Sequence, residues 1–149
     1  MSPVNPALAG RVFPSSSYLV GREKIREFAL AVRSSNPLRH DVGVAREAGF
    51  VDVIAPTTFT TVVQQRAIMA LLRTPDTGLD PTRVVHTSEK IEHQRPIVAG
   101  DDLSTTLTIT GVTVRAGSAI LSTVSEIHDV TDALVATVTS TLLARGEGA

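Results

Sequence analysis

From residue 83 almost to its end this chain reads as extended backbone, and only one helical stretch before it is apolar enough to cover a sheet. The segment "GDDLSTTLTITGVTVRAGSAILSTVSEIHDVTDALVATVTSTLLAR" (100–145) is rich in Thr, Val and Ile, which favour a pleated, half-buried surface. Leu103, Leu107 and Ile109 alternate with polar residues, with Thr105 among them, as a strand with one buried face requires. Arg115-Ala116-Gly117-Ser118 and Asp129-Val130-Thr131-Asp132 supply hairpin turns. "RVVHTSEKIEHQRPI" (83–97) predicts a further long strand. Four long antiparallel strands need a partner for their inner face. The stretch "FTTVVQQRAIMALLR" (59–73) is the large apolar body available. It predicts a helix from Pro56-Thr57 to about Arg73, with Pro in the first turn and threonine as cap. A narrow polar stripe at Gln64, Gln65 and Arg66 predicts that this helix is buried.

The remaining segments fit around that pair. Ile25, Phe28, Ala29 and Val32 follow helical spacing in "REKIREFALAV" (22–32), and Ser34-Ser35-Asn36-Pro37 stops that helix. "DVGVAREAG" (41–49) predicts a short helical turn closed by Gly49, and "FVDVIAP" (50–56) an extended lead-in. "TPDTGLDPT" (74–82) is a loop. One antiparallel sheet wrapped around one long buried helix is an α+β, hot-dog arrangement. A length of 149 residues suits one such domain over 1–149.

Composition removes several functional classes. A formal net charge of −1, with acids and bases interspersed, leaves no footprint for nucleic acid or anionic lipid. Aromatic residues are only 3%, with no Trp, which disfavours base stacking. There is no cysteine, so disulfides, thiolate nucleophiles and Cys-based zinc sites are excluded. "MSPVNPALAGRVFP" lacks the basic and apolar regions of a signal peptide, and no apolar run approaches the ~18 residues a membrane span needs. The expectation is a cytoplasmic protein.

Few side chains suggest chemistry. "RSSNPLRHD" (33–41) places a histidine and an aspartate just behind an Asn-Pro step. The plain reading makes His40 a surface loop residue and Asp41 the cap of the next turn. His86 and His93 are seven apart on one strand and are expected on opposite faces. With His128 on another strand, no metal-ligand spacing emerges, so no metal site is expected. "RPIVAGDDL" (95–103) reads as structural: Arg95 pairs an acid, Pro96 ends a strand and Gly100-Asp101 turns.

The stretches "VGREKIREFALAV" (20–32), "IAPTTF" (54–59), "RVVH" (83–86) and "HQRPIVAGDDL" (93–103) resemble the MaoC-like hot-dog dehydratases. The likeness is greatest to the substrate-holding subunit of the actinobacterial (3R)-hydroxyacyl-ACP dehydratase. Active members carry an aspartate, any residue, Asn-Pro, one residue and a histidine. Dehydration needs a base for the α proton and an acid for the departing β hydroxyl. Backbone N–H groups at a helix N-terminus serve the enolate-like thioester oxygen.

Here Asn36-Pro37 is kept, but Ser34 stands in the aspartate's place and Arg39 in the histidine's. Serine is no carboxylate base, and arginine stays protonated. Active relatives tend to have glycine after the Ala-Pro; here Thr57 follows Pro56, and its Cβ should crowd the thioester.

The resemblance implies an acyl-binding subunit, with catalysis supplied by a MaoC-type partner in fatty-acid elongation. It places substrate contacts at Asn36, Pro56, Thr57 and Phe59, and needs no cofactor. Its ligand would be an acyl-ACP or acyl-CoA thioester, and its assembly a heterodimer or a homodimer. Two alternatives stand beside it. One is a self-sufficient hydratase using His40 and Asp41 after a one-residue loop shift. The other is a stand-alone acyl-thioester-binding protein.

Overall fold

The computed structural model describes residues 4–15 and 17–146, and in it the β-rich part of the chain forms one sheet. Two short strands, β1 (Val12–Pro14) and β2 (Tyr18–Leu19), precede four long ones. These are β3 (Val84–His93), β4 (Asp102–Arg115), β5 (Ser118–His128) and β6 (Leu134–Ala144). The spatial order is β1-β4-β5-β6-β3, with β2 also beside β4, and every pairing is antiparallel. One long side of β3 therefore has no strand neighbour among the described residues.

Both hairpins have a local cause. Ala116 (φ 52°) and Gly117 (φ 80°) are left-handed, the pairing whose twist suits a two-residue turn between strands. At the second, Asp129 Oδ1 accepts from Thr131 N (2.9 Å), Thr131 Oγ1 (2.6 Å) and Ala133 N (3.2 Å). These hydrogen bonds, led by the Thr131 hydroxyl, hold the Asp129 carboxyl down at about 2. A depressed carboxyl contributes its stability above its unfolded pKa of about 3.9 and loses it as pH falls toward the folded value. Wild type is therefore expected to lose stability between about pH 4 and pH 2 more steeply than Asp129→Asn. Urea unfolding at stepped pH checks this, and parallel curves for the two proteins would refute it.

There are three α-helices, α1 (Arg22–Ala31), α2 (Val42–Glu47) and α3 (Thr60–Arg73); α3 lies against β1, β4 and β5, and Ile25 of α1 joins the same core. A 3-10 turn, Thr57–Phe59, leads into α3. Neither this turn nor α3 has a side-chain cap, so the expected threonine cap is absent. The backbone enters through Pro56, whose extended ψ of 151° sets the direction instead. Val63, Ala67 and Leu71 of α3 are buried at helical spacing against the sheet. Two clusters continue the core: Phe59 and Val63 with Leu103, Ile127 and Val138, then Ala67 and Leu71 with Leu107, Ile109 and Leu121.

Two expectations are corrected here. Gln64 is not on a polar stripe: it is 1% exposed, and its Nε2 donates to Glu89 Oε1 at 3.0 Å. Nor is α3 covered all round. Thr61, Gln65, Arg66, Ala70 and Arg73 are exposed and Val62, Ile68, Met69 and Leu72 half-buried, because the sheet covers one side only. The second correction concerns the histidines. The β3–β6 register slips between His86 and Ser88, so His86 pairs with Leu142 and His93 with Ala136. Those partners are an even number of residues apart on β6, so both histidines share the face toward α3. A single bulged residue inverts the alternation.

Candidate functional site

The loop after α1 is built by its own polar groups. Arg33 is left-handed (φ 58°), and Ser34 N donates back to Ala29 O at 2.8 Å, which closes the helix. Asn36 Oδ1 accepts from Leu38 N at 3.1 Å and caps a 3-10 turn, Pro37–Arg39, with Pro37 in its first position. Ile54 N donates to Leu38 O at 3.0 Å, which ties the loop to the strand-like entry of α3. Ile54 itself bridges Val98.

His40 is engaged within this loop. Its Nε2 lies 2.7 Å from Ser34 O, which can only accept, and its own carbonyl accepts from Arg26 Nε at 2.8 Å. Asp41 Oδ1 accepts from Val44 N at 3.2 Å and caps α2. Neither side chain lines the cavity described next.

That cavity, of about 290 Å³, opens at the start of α3. Its wall comprises Arg39, Ile54, Ala55, Thr57 and the segment 93–97. Thr57 is exposed, and its carbonyl takes a hydrogen bond from His93 Nε2 at 2.9 Å. That contact fixes the proton on Nε2 and leaves Nδ1 a free acceptor in the neutral ring. Pro56 is buried, and Phe59 stands behind the wall, fully buried and edge-on to Phe28 at 5.4 Å. Asn36 serves the loop turn rather than the wall.

The far wall is braced by charge. Arg95 donates to both carboxylate oxygens of Asp101 (2.8 and 3.1 Å) and reaches Asp129 at 3.4 Å. Asp101 also accepts from Val98 N at 2.9 Å. The structural reading of this segment holds, and the Asp101 carboxylate raises the Arg95 pKa.

Arg39 contrasts with Arg95. Its Nε and Nη1 are shielded from solvent and have no hydrogen-bond partner among the described residues, and burial lowers its pKa. His93 Nδ1 is likewise shielded and unpartnered. Three such atoms therefore belong to two residues of one cavity wall. The sequence reading missed this role of His93, because the bulge that turns it inward leaves no mark in the residue pattern.

No carboxylate lines this wall, and no group of three or more His, Asp or Glu that could hold a metal occurs among the described residues. The one histidine on this wall is His93, with its Nε2 committed to Thr57 O. Among the described residues this wall holds no carboxylate to pair with His93 as the acid and base of a dehydration.

Antiparallel strands around a central helix define a protein of the hot-dog fold. A family model described as "FAS1-like, dehydratase domain region" matches residues 7–138, and the chain belongs to that family. It is 49% identical over 148 residues to a UPF0336 protein of Clavibacter michiganensis, covering 99% of both chains. It is 45% identical over 148 residues to UPF0336 protein Lxx02810 of Leifsonia xyli, again covering 99% of both. Among solved structures it is similar to the HadBC (3R-hydroxyacyl-ACP dehydratase) complex of Mycobacterium tuberculosis, with a TM-score of 0.82 and 28% identity. That match covers 91% of this chain and 96% of the other. A MaoC-like dehydratase gives a TM-score of 0.85 at 31% identity, covering 95% of this chain and 43% of that one.

Proposed function

We propose that this chain, as one hot-dog unit over 1–149, is the acyl-binding subunit of a (3R)-hydroxyacyl-thioester dehydratase. A MaoC-type partner supplies catalysis, and the pair acts in cytoplasmic fatty-acid elongation. One observation carries the reading: Ser34 and Arg39 stand where active relatives have aspartate and histidine, beside a wall without a carboxylate. The likeness to HadBC, a complex, supports a two-chain assembly. The unpaired side of β3 supports edge-to-edge association, which would cover an exposed strand. An acyl-ACP or acyl-CoA thioester would lie along Thr57, with Pro56, Phe59 and the Asn36 loop holding the wall in place.

The test is hydration of a trans-2-enoyl thioester by the purified chain, with His40→Ala beside it. The expected result is no turnover above buffer in either sample, and turnover once a catalytic MaoC-type chain is added. Robust turnover by the chain alone, lost in His40→Ala, would overturn the proposal and make the loop a rebuilt active site.

A further inference from the structure

A second cavity, of about 610 Å³, lies on the side of α3 that the sheet leaves uncovered. Three cations line it: Lys24 of α1, and Arg66 and Arg73 of α3. No acid does so among the described residues. Charges interspersed along the sequence are thus sorted by sign at this face. Glu27 reaches Lys24 at 3.4 Å but is 73% exposed in its side chain, so water weakens the pair. Asp76, just past α3, is taken by Arg11 at 2.9 Å. Arg66 Nη1 donates to Ser17 O at 3.2 Å, which steadies the side chain and leaves its charge in place. The Arg73 guanidinium has no hydrogen bond or ion pair among the described residues. Like charges round one concavity repel, and their shared field favours an anion of more than one charge.

The rest of the lining decides what carries that anion. Arg66 and Arg73 are two helical turns, about 10 Å, apart on one side of α3. Met69 and Ala70 lie between them, and Val62 extends the apolar strip toward the helix start. Tyr18 of β2 lines the same cavity, half-buried, with its ring 6.4 Å from Phe59. An aromatic ring and a thioether favour a flat, polarisable body. A carboxylate would bring a single charge, whereas a phosphate monoester brings about 1.5–2 at pH 7, on oxygens enough for more than one cation. The volume falls in the range of about 300–1,000 Å³ that suits a small ligand.

We infer that this cavity binds a phosphate monoester carried on a flat aromatic body, of which a purine nucleotide is the common form. Lys24, Arg66 and Arg73 hold the phosphate, and Tyr18 and Met69 hold the base. The cavity shares no lining residue with the one at the start of α3, so the inference does not depend on the subunit role proposed above.

The test is a titration of the ¹⁵N-labelled full chain, at constant ionic strength, with AMP, adenosine and ribose 5-phosphate. AMP is expected to shift the amides of Tyr18, Gln65 and Met69 saturably. Adenosine, which lacks the phosphate, and ribose 5-phosphate, which lacks the base, should each bind about tenfold more weakly. Arg73→Gln, a change at an exposed side chain, should weaken AMP several-fold and leave adenosine unchanged. Lys24→Gln should act in the same direction. Equal binding of AMP and adenosine by wild type would overturn the inference without recourse to any variant. So would ribose 5-phosphate binding as tight as AMP, unchanged AMP binding by both variants, or no saturable shift with AMP.

Discussion

Phe59→Ala is expected to lose about 3–5 kcal/mol of folding stability, the range for deleting a fully buried aromatic side chain. Phe59 is 0% exposed, meets Phe28 edge-on at 5.4 Å and lies 6.4 Å from Tyr18. It joins the segment before α1, α1 itself and the entry to α3 in one cluster. A domain of this kind has about 5–15 kcal/mol in all, so the variant should be near the edge of folding. Phe59→Leu, which leaves a smaller void, should lose less. Equilibrium urea unfolding reads both, and a loss below about 1 kcal/mol for Phe59→Ala would show that the ring is not core.

Asp101→Ala is expected to cost about 1–2 kcal/mol and to loosen the far wall of the cavity. The carboxylate receives two hydrogen bonds from Arg95 and one from Val98 N. Without it, Arg95 keeps its bond to Pro96 O (3.0 Å) and the longer contact to Asp129 (3.4 Å), and the Val98 amide loses its partner. Arg95 is 36% exposed in its side chain, so water softens the loss and keeps it below that of a fully buried pair. Thermal unfolding gives the stability term. Amide shifts at Gln94 and Ile97 report the wall, and if these stay in place Asp101 does not position it.

The alternation of Leu103, Leu107 and Ile109, the apolar face of α3 and the two turn signals were legible, because each is a local pattern with a physical period. Ser34 and Arg39 are placed by position against Asn36-Pro37, a reading that needs only the sequence. The face of β3 was not legible. Its alternation inverts at a bulge near Thr87, whose neighbours are all compatible with regular strand. The burial of Gln64 was equally hidden: its partner, Glu89, lies 25 residues away on another element. The state of Arg39 depended on the same kind of information. Whether a guanidinium is paired is a fact about the space around it, not about the residues beside it in the chain.

The open flank of β3 has a kinetic meaning. A strand with a neighbour on one side leaves roughly every second amide without a backbone acceptor, so those protons trade with solvent fast, whereas the alternate ones bonded to β6 are slow. Residues 84–93 should therefore show a two-residue rhythm of deuterium uptake in the isolated protomer. If a second chain adds its own strand along that flank, the rhythm disappears and all ten amides slow together. Uptake that keeps its alternation in the assembled state would mean that the chains meet elsewhere.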